Sequence, residues 1–177
     1  DAIAPIIHRE SIDSNSESVV FGNRYGEPDN GDYINLLLTK SDYDKFYESL
    51  ISAELHNPAD FEDKHFFQGC MPVEELAKTG YDTLRFGPMK PVGFNFKSGA
   101  KPFAVVQLRR ENACGSIYNI VGFQTRLKYG EQERVFKLLP GLANAEFARK
   151  GSMHRNTYIN SPLLITPALN LKLKDRE

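Results

Sequence analysis

Five stretches of this chain set glycines, prolines, amides and cations directly beside large apolar residues. Simple packing does not produce that pattern; a shaped polar pocket on a rigid scaffold does. The stretches are Phe66-Phe-Gln-Gly-Cys70-Met-Pro72, Asp82-Thr-Leu-Arg-Phe-Gly-Pro-Met-Lys-Pro-Val-Gly93, Val105-Val-Gln-Leu-Arg109, Tyr118-Asn-Ile-Val-Gly-Phe-Gln-Thr125 and Met153-His-Arg-Asn-Thr-Tyr-Ile-Asn160. Within the first, Cys70 precedes Pro72, and Pro72 opens a short helical pattern over 73–78. A thiol at a helix N-terminus meets the positive end of the dipole, which lowers its pKa toward thiolate. A small buried hydrophobe is the other reading of a free cysteine. Local sequence leaves the two open.

The order of patterns predicts an α/β (α+β) fold, a mixed β-sheet with flanking helices. Strands are expected at Ile3–Ile7, Ser18–Phe21 and Tyr33–Leu38. A helix follows, with Tyr43, Phe46, Tyr47, Leu50 and Ile51 spaced as one apolar stripe. Thr39 with Asp42, or Ser41 with Asp44, gives the spacing of a capping box, and Asn57-Pro58 marks the helix end. After the helix at 73–78, closed by Gly80, a strand is expected around Thr83–Phe86. Phe103–Leu108 and Ile117–Phe123 are expected to pair across a turn at 112–115. A second amphipathic helix spans about Glu131–Leu139, stopped by Pro140-Gly141. The remainder, from Ala145 to Leu173, reads as strands and turns. With 177 residues, no repeats and no low-complexity tract, residues 1–177 are expected to form a single domain. Both ends read as cuts through a larger protein, since the chain begins at Asp1 and stops in the charged run after Leu171.

Net charge is −1, but it is unevenly spread. Residues 1–84 carry 6 Lys/Arg against 17 Asp/Glu, and residues 85–137 carry 10 against 3. Such asymmetry suits one face for a polyanion and one for solvent; chance clustering of acidic helices and basic strands is the plainer reading. No apolar run approaches the ~20 residues a membrane span needs, so no membrane partner is expected. Two cysteines, Cys70 and Cys114, are too few for a disulfide framework, which favours a reducing cytoplasm. Cys114, in a turn, reads as structural. The four histidines are scattered and neither cysteine has a partner at finger spacing, so no metal site is expected. The sequence has no glycine-rich nucleotide fingerprint.

Taken together, the blocks resemble the folate- and flavin-dependent tRNA uracil-5-methyltransferases, relatives of the GidA-like flavoproteins. Gln68-Gly-Cys-Met-Pro-Val-Glu74, Leu84-Arg-Phe-Gly-Pro-Met-Lys-Pro-Val-Gly93, Ala104-Val-Val-Gln-Leu-Arg109, Tyr118–Thr125, Pro140–Glu146 and 153–162 all carry the likeness, in order. The resemblance implies the central portion of such a protein, the region inserted into the flavin-binding domain, without the amino-terminal FAD motif or the carboxy-terminal segment. It implies FAD, methylenetetrahydrofolate and NAD(P)H as cofactors of the full-length protein, none of them stably bound to this portion, and tRNA as partner. It implies that Cys70 is catalytic, a thiolate adding to uracil C6 to activate C5. His154, Arg155 and Asn156 are expected to contact cofactor, and Arg85, Lys90, Arg109, Arg126 and Lys128 to contact RNA, together with Arg155 on one face. Alone, the chain is expected to be inactive. Two other functions stay open: a GidA-like modification of the tRNA wobble uridine, and a non-catalytic RNA-binding module in which Cys70 only packs.

Overall fold

The computed structural model describes residues 2–24, 32–56, 71–153, 159 and 161–172. Among the described residues six strands form the main sheet, in the order β3-β4-β5-β6-β2-β7, and each of their pairings is antiparallel. They are β2 (Ile6–His8), β3 (Val19–Phe21), β4 (Tyr33–Leu38), β5 (Ala104–Arg110), β6 (Ile117–Ile120) and β7 (Phe147–Arg149). A two-stranded ribbon joins β1 (Ala2–Ile3) to β8 (Ser152–Met153). The α/β class and the β5–β6 pairing are as the sequence predicts, while the sheet, expected to be mixed, is antiparallel throughout its described pairings. The predicted strand Ile3–Ile7 is instead split. Pro5 has no N–H to give a ladder. The chain changes sheets there, and the Pro5 carbonyl accepts from Ile120 N at 3.1 Å.

Strand alternation puts Ile34, Leu36, Leu38, Ala104, Val106, Leu108, Tyr118, Ile120 and Ile7 into one core. Helices α1 (Lys40–Ile51) and α4 (Tyr129–Phe136) bury their stripes on it through Tyr43, Phe46, Leu50, Val135 and Phe136. Of the two possible caps for α1, the helix uses Thr39. Its Oγ1 accepts from Asp42 N at 3.2 Å, and Asp42 Oδ2 accepts from Thr39 N at 3.0 Å. That reciprocal pair is a capping box. The helix ends earlier than Asn57-Pro58. Ser52 Oγ donates to Glu48 O at 2.8 Å, and beyond that turn Leu55 bridges to Leu127. Such a side-chain bond to the previous turn competes with further helix.

One predicted strand is a helix. Thr83–Phe86 forms α3, with the N–H groups of Arg85 and Phe86 both donating to Asp82 O. The chain meets β5 just after this helix, where the Met89 carbonyl accepts from Val105 N at 3.1 Å. Helix α2 (Val73–Lys78) begins after Pro72 as predicted. The rigid loop after α3 lies against Gly122. That glycine has φ +77°, and a Cβ on it would stand 2.7 Å from Pro88 Cβ. Only a residue without a side chain fits both the backbone angle and the approach.

Candidate functional site

Residues 124–128 form the meeting point of the sequence blocks. Val73 N donates to Gln124 O at 2.7 Å, fixing the start of α2 immediately after the Cys70 block. His56 N donates to Arg126 O at 2.8 Å, and Lys128 N to Glu54 O at 3.0 Å. Both flanks of the stretch 57–70 are therefore tied to one short run of backbone. Cys70 itself lies outside the described residues, as do His154, Arg155 and Asn156.

A buried carboxylate holds the first flank. Glu74, on α2, is fully buried; Oε2 accepts from Thr125 Oγ1 and Oε1 from Arg126 N, both at 2.8 Å. Burial pushes its carboxyl above the usual carboxylate range, against the opposing pull of those donors and of the Arg126 guanidinium. Thr125 Oγ1 in turn accepts from Leu127 N at 3.1 Å. The second flank, leading into the His154 block, is held by Gln132 of α4. Its amide donates to Gly151 O and to Leu127 O, and its oxygen accepts from Gly151 N, all at 2.8 Å. The two flanks meet at Thr125. A Cβ on Gly151 would stand 2.7 Å from the Thr125 methyl and 2.8 Å from Ile3 O, so only glycine fits without displacement.

The ionisation of Glu74 has a measurable sign. A carboxyl whose folded pKa is raised contributes stability that is complete below its unfolded pKa and is lost as pH rises through the folded one. Glu74→Gln is therefore expected to remove a fall in unfolding free energy that begins at about pH 4 and extends upward. Urea unfolding of both proteins across that range checks this. The same slope in each would show that Glu74 does not carry it.

The basic residues divide. Arg85 Nε donates to Phe103 O at 2.9 Å, and its guanidinium lies 3.8 Å from the Phe103 ring centroid while also pairing with Asp82. A cation over a ring face at that distance is held electrostatically as well as by its hydrogen bond. Arg126 is 13% exposed and pairs with Glu75, with Glu74 at 3.8 Å. Lys128 pairs at the surface with Glu54 at 2.6 Å. Lys90 and Arg109 are exposed and carry no side-chain hydrogen bond or ion pair among the described residues. Arg109 sits opposite Tyr33 on one side and Asn119 on the other, on the sheet face away from the core. The sequence expectation of one shared basic face thus meets three cations already engaged within the fold. Arg155 lies outside the described residues. Cys114, expected to be structural, is exposed in its turn, where hydrogen bonds with Ser116 lower its thiol pKa. No group of His, Cys, Asp and Glu that could hold a metal exists among the described residues.

Sequence patterns do not single out Glu74, Thr125 or Gln132. The one signal for Glu74 is its place three residues before Ala77 on the buried side of α2.

The family model for glucose inhibited division protein A, GidA, matches residues 1–176. The chain belongs to the GidA family. Among curated relatives, the methylenetetrahydrofolate–tRNA-(uracil-5-)-methyltransferase TrmFO of Moorella thermoacetica is 55% identical over 173 residues, 97% of this chain and 39% of that protein. TrmFO of Aquifex aeolicus is 54% identical over 176 residues, 99% of this chain and 39% of that protein. The chain thus spans about 39% of the length of these relatives. A solved structure of Aquifex aeolicus GidA aligns with a TM-score of 0.44 at 15% identity, covering 85% of this chain and 23% of that one.

Proposed function

We propose that this chain is the substrate-contacting portion of a methylenetetrahydrofolate- and FAD-dependent methyltransferase that makes 5-methyluridine in the tRNA T-loop. The observation that carries the reading is the 55% identity to TrmFO across 97% of the chain. The convergence of the Cys70 and His154 flanks on 124–128 supports it, since a reaction on one base needs its groups in one place.

Uracil C5 is a weak nucleophile. Addition of the Cys70 thiolate to C6 forms a carbon–sulfur bond and moves the ring's electron pair onto C5 as an enolate. C5 can then take up a one-carbon unit, and loss of its proton with expulsion of the thiolate restores the ring. In the full-length protein the folate carries that unit and the flavin, reduced by NAD(P)H, supplies the electrons for its reduction. The chain's own residues do not fit a dinucleotide cradle of the strand–glycine turn–helix kind, because the sequence has no such glycine pattern. Flavin binding is therefore assigned mainly to the rest of the full-length protein, with His154, Arg155 and Asn156 as this chain's proposed contribution to it. On this reading the protein works in the cytoplasm, where tRNA is modified. No described helix is long and apolar enough to cross a membrane.

Of the five cations expected to contact RNA, Lys90 and Arg109 are the best suited to meet tRNA phosphate, because the other three are engaged by described carboxylates. The double charge reversal Lys90→Glu with Arg109→Glu is expected to weaken tRNA binding by the full-length protein. The salt slope should fall by about 1 for each phosphate no longer neutralised. Filter binding over a salt series measures both, and equal affinity at low salt would exclude a role for these two residues.

The family match favours a second reading, modification of the wobble uridine by a GidA-like protein. Nucleoside analysis of tRNA incubated with the full-length enzyme, folate and reductant separates them. New 5-methyluridine supports the methyltransferase. A change confined to the anticodon wobble position overturns it.

A further inference from the structure

Four polar side chains are fully buried among the described residues, and three of them, Glu74, Thr125 and Gln132, belong to the junction at 124–128. Buried polar groups cost stability unless satisfied, and an apolar junction of the same shape would hold as well or better. Their concentration at the contact between two sequence blocks therefore argues that a geometry is being specified. We infer that Glu74, Thr125 and Gln132 are positioning residues for the reaction, fixing the flank of Cys70 at 71–73 against the flank of the His154 block at 151–152. This rests on the methyltransferase reading above.

The path is continuous. Val73 is held by Gln124 O, and Glu74 accepts from the Thr125 hydroxyl and from Arg126 N. The Thr125 methyl fills the space in front of Gly151, which is clamped at both its N–H and its carbonyl by Gln132. Thr125 thus has two separable jobs, its hydroxyl fixing α2 and its methyl bearing on Gly151. None of the three residues is exposed, so their effect on a substrate passes through the chain they hold.

The test uses the full-length enzyme with steady-state kcat and KM for tRNA, 5-methyluridine as product, and thermal unfolding as a control. Thr125→Val keeps the shape and removes the hydroxyl. It is expected to lower kcat about 10–100-fold at temperatures where the variant is fully folded, the size of effect that a displacement of about 1 Å produces. KM for tRNA should change little, because the RNA-facing cations are untouched. Thr125→Ser keeps the hydroxyl that fixes α2 but removes the methyl that bears on Gly151, so it should recover only part of kcat. If Thr125→Val does not fold, Glu74→Gln carries the same test, since it keeps the volume and one acceptor oxygen while removing the charge. Wild-type kcat in the folded variant, or a loss that only follows the unfolded fraction, overturns the inference. Failure of the underlying reading looks different: wild-type enzyme then makes no 5-methyluridine, or Cys70→Ala still makes it, whatever the Thr125 variants do.

Discussion

Cys70→Ala in the full-length enzyme is expected to lower 5-methyluridine formation about 10³-fold or more, while tRNA binding changes little. Loss of a covalent nucleophile removes a whole reaction path, and single knockouts of such groups cost factors of this order or larger. The site lies at the end of a stretch whose following residues are anchored independently, by Val73 N on Gln124 O and by Glu74 on Thr125. Truncating the thiol at position 70 is therefore expected to leave those two anchors in place. Cys114→Ala, at an exposed turn far along the sequence, should leave the rate near wild type. Single-turnover assays with labelled folate measure the step directly. A Cys70→Ala enzyme working at near wild-type rate would falsify covalent activation and return the thiol to packing.

The largest stability loss is expected at Phe123. Its ring is fully buried between Phe46 of α1, 5.8 Å away by ring centroids, and Phe136 of α4, at 5.7 Å. It packs both helices against the segment that follows β6. Phe123→Ala should cost about 3–5 kcal/mol, combining lost transfer energy with a cavity that two helices cannot both collapse into. For a chain of this size that lowers the melting temperature by roughly 2–4 °C per kcal/mol. Chemical denaturation checks it. A loss below ~1 kcal/mol would show that the helices close over the gap.

Much of the scaffold is legible in the sequence. The apolar stripe of α1, the Pro-opened α2 and the β5–β6 pairing depend on local periodicity and punctuation, which sequence displays directly. Thr83–Phe86 reads as a strand because a β-branched residue and an aromatic in four positions resemble one. Nothing local reveals that the chain meets β5 only after these residues, at Met89. The site is legible as blocks but not as partnerships. Arg126 looks like a free cation until Glu74 and Glu75, far earlier in the chain, fold beside it. Likewise Gln132 reads as a polar position on an amphipathic helix, and its three bonds to Gly151 and Leu127 depend on segments it does not adjoin in sequence.

The strand order also sets a timetable for folding. Strands β3, β4, β5 and β6 follow one another in the same order along the chain and across the sheet, so each can pair with the strand before it once it emerges. Strand β2 cannot join them yet. Ile6–His8 finds its two neighbours only in Ile117–Ile120 and Phe147–Arg149. Pairings so distant carry a loop-closure cost that slows assembly. On the ribosome these residues must therefore wait unpaired while the rest of the sheet emerges behind them. The strand that completes the sheet precedes in sequence every strand it completes.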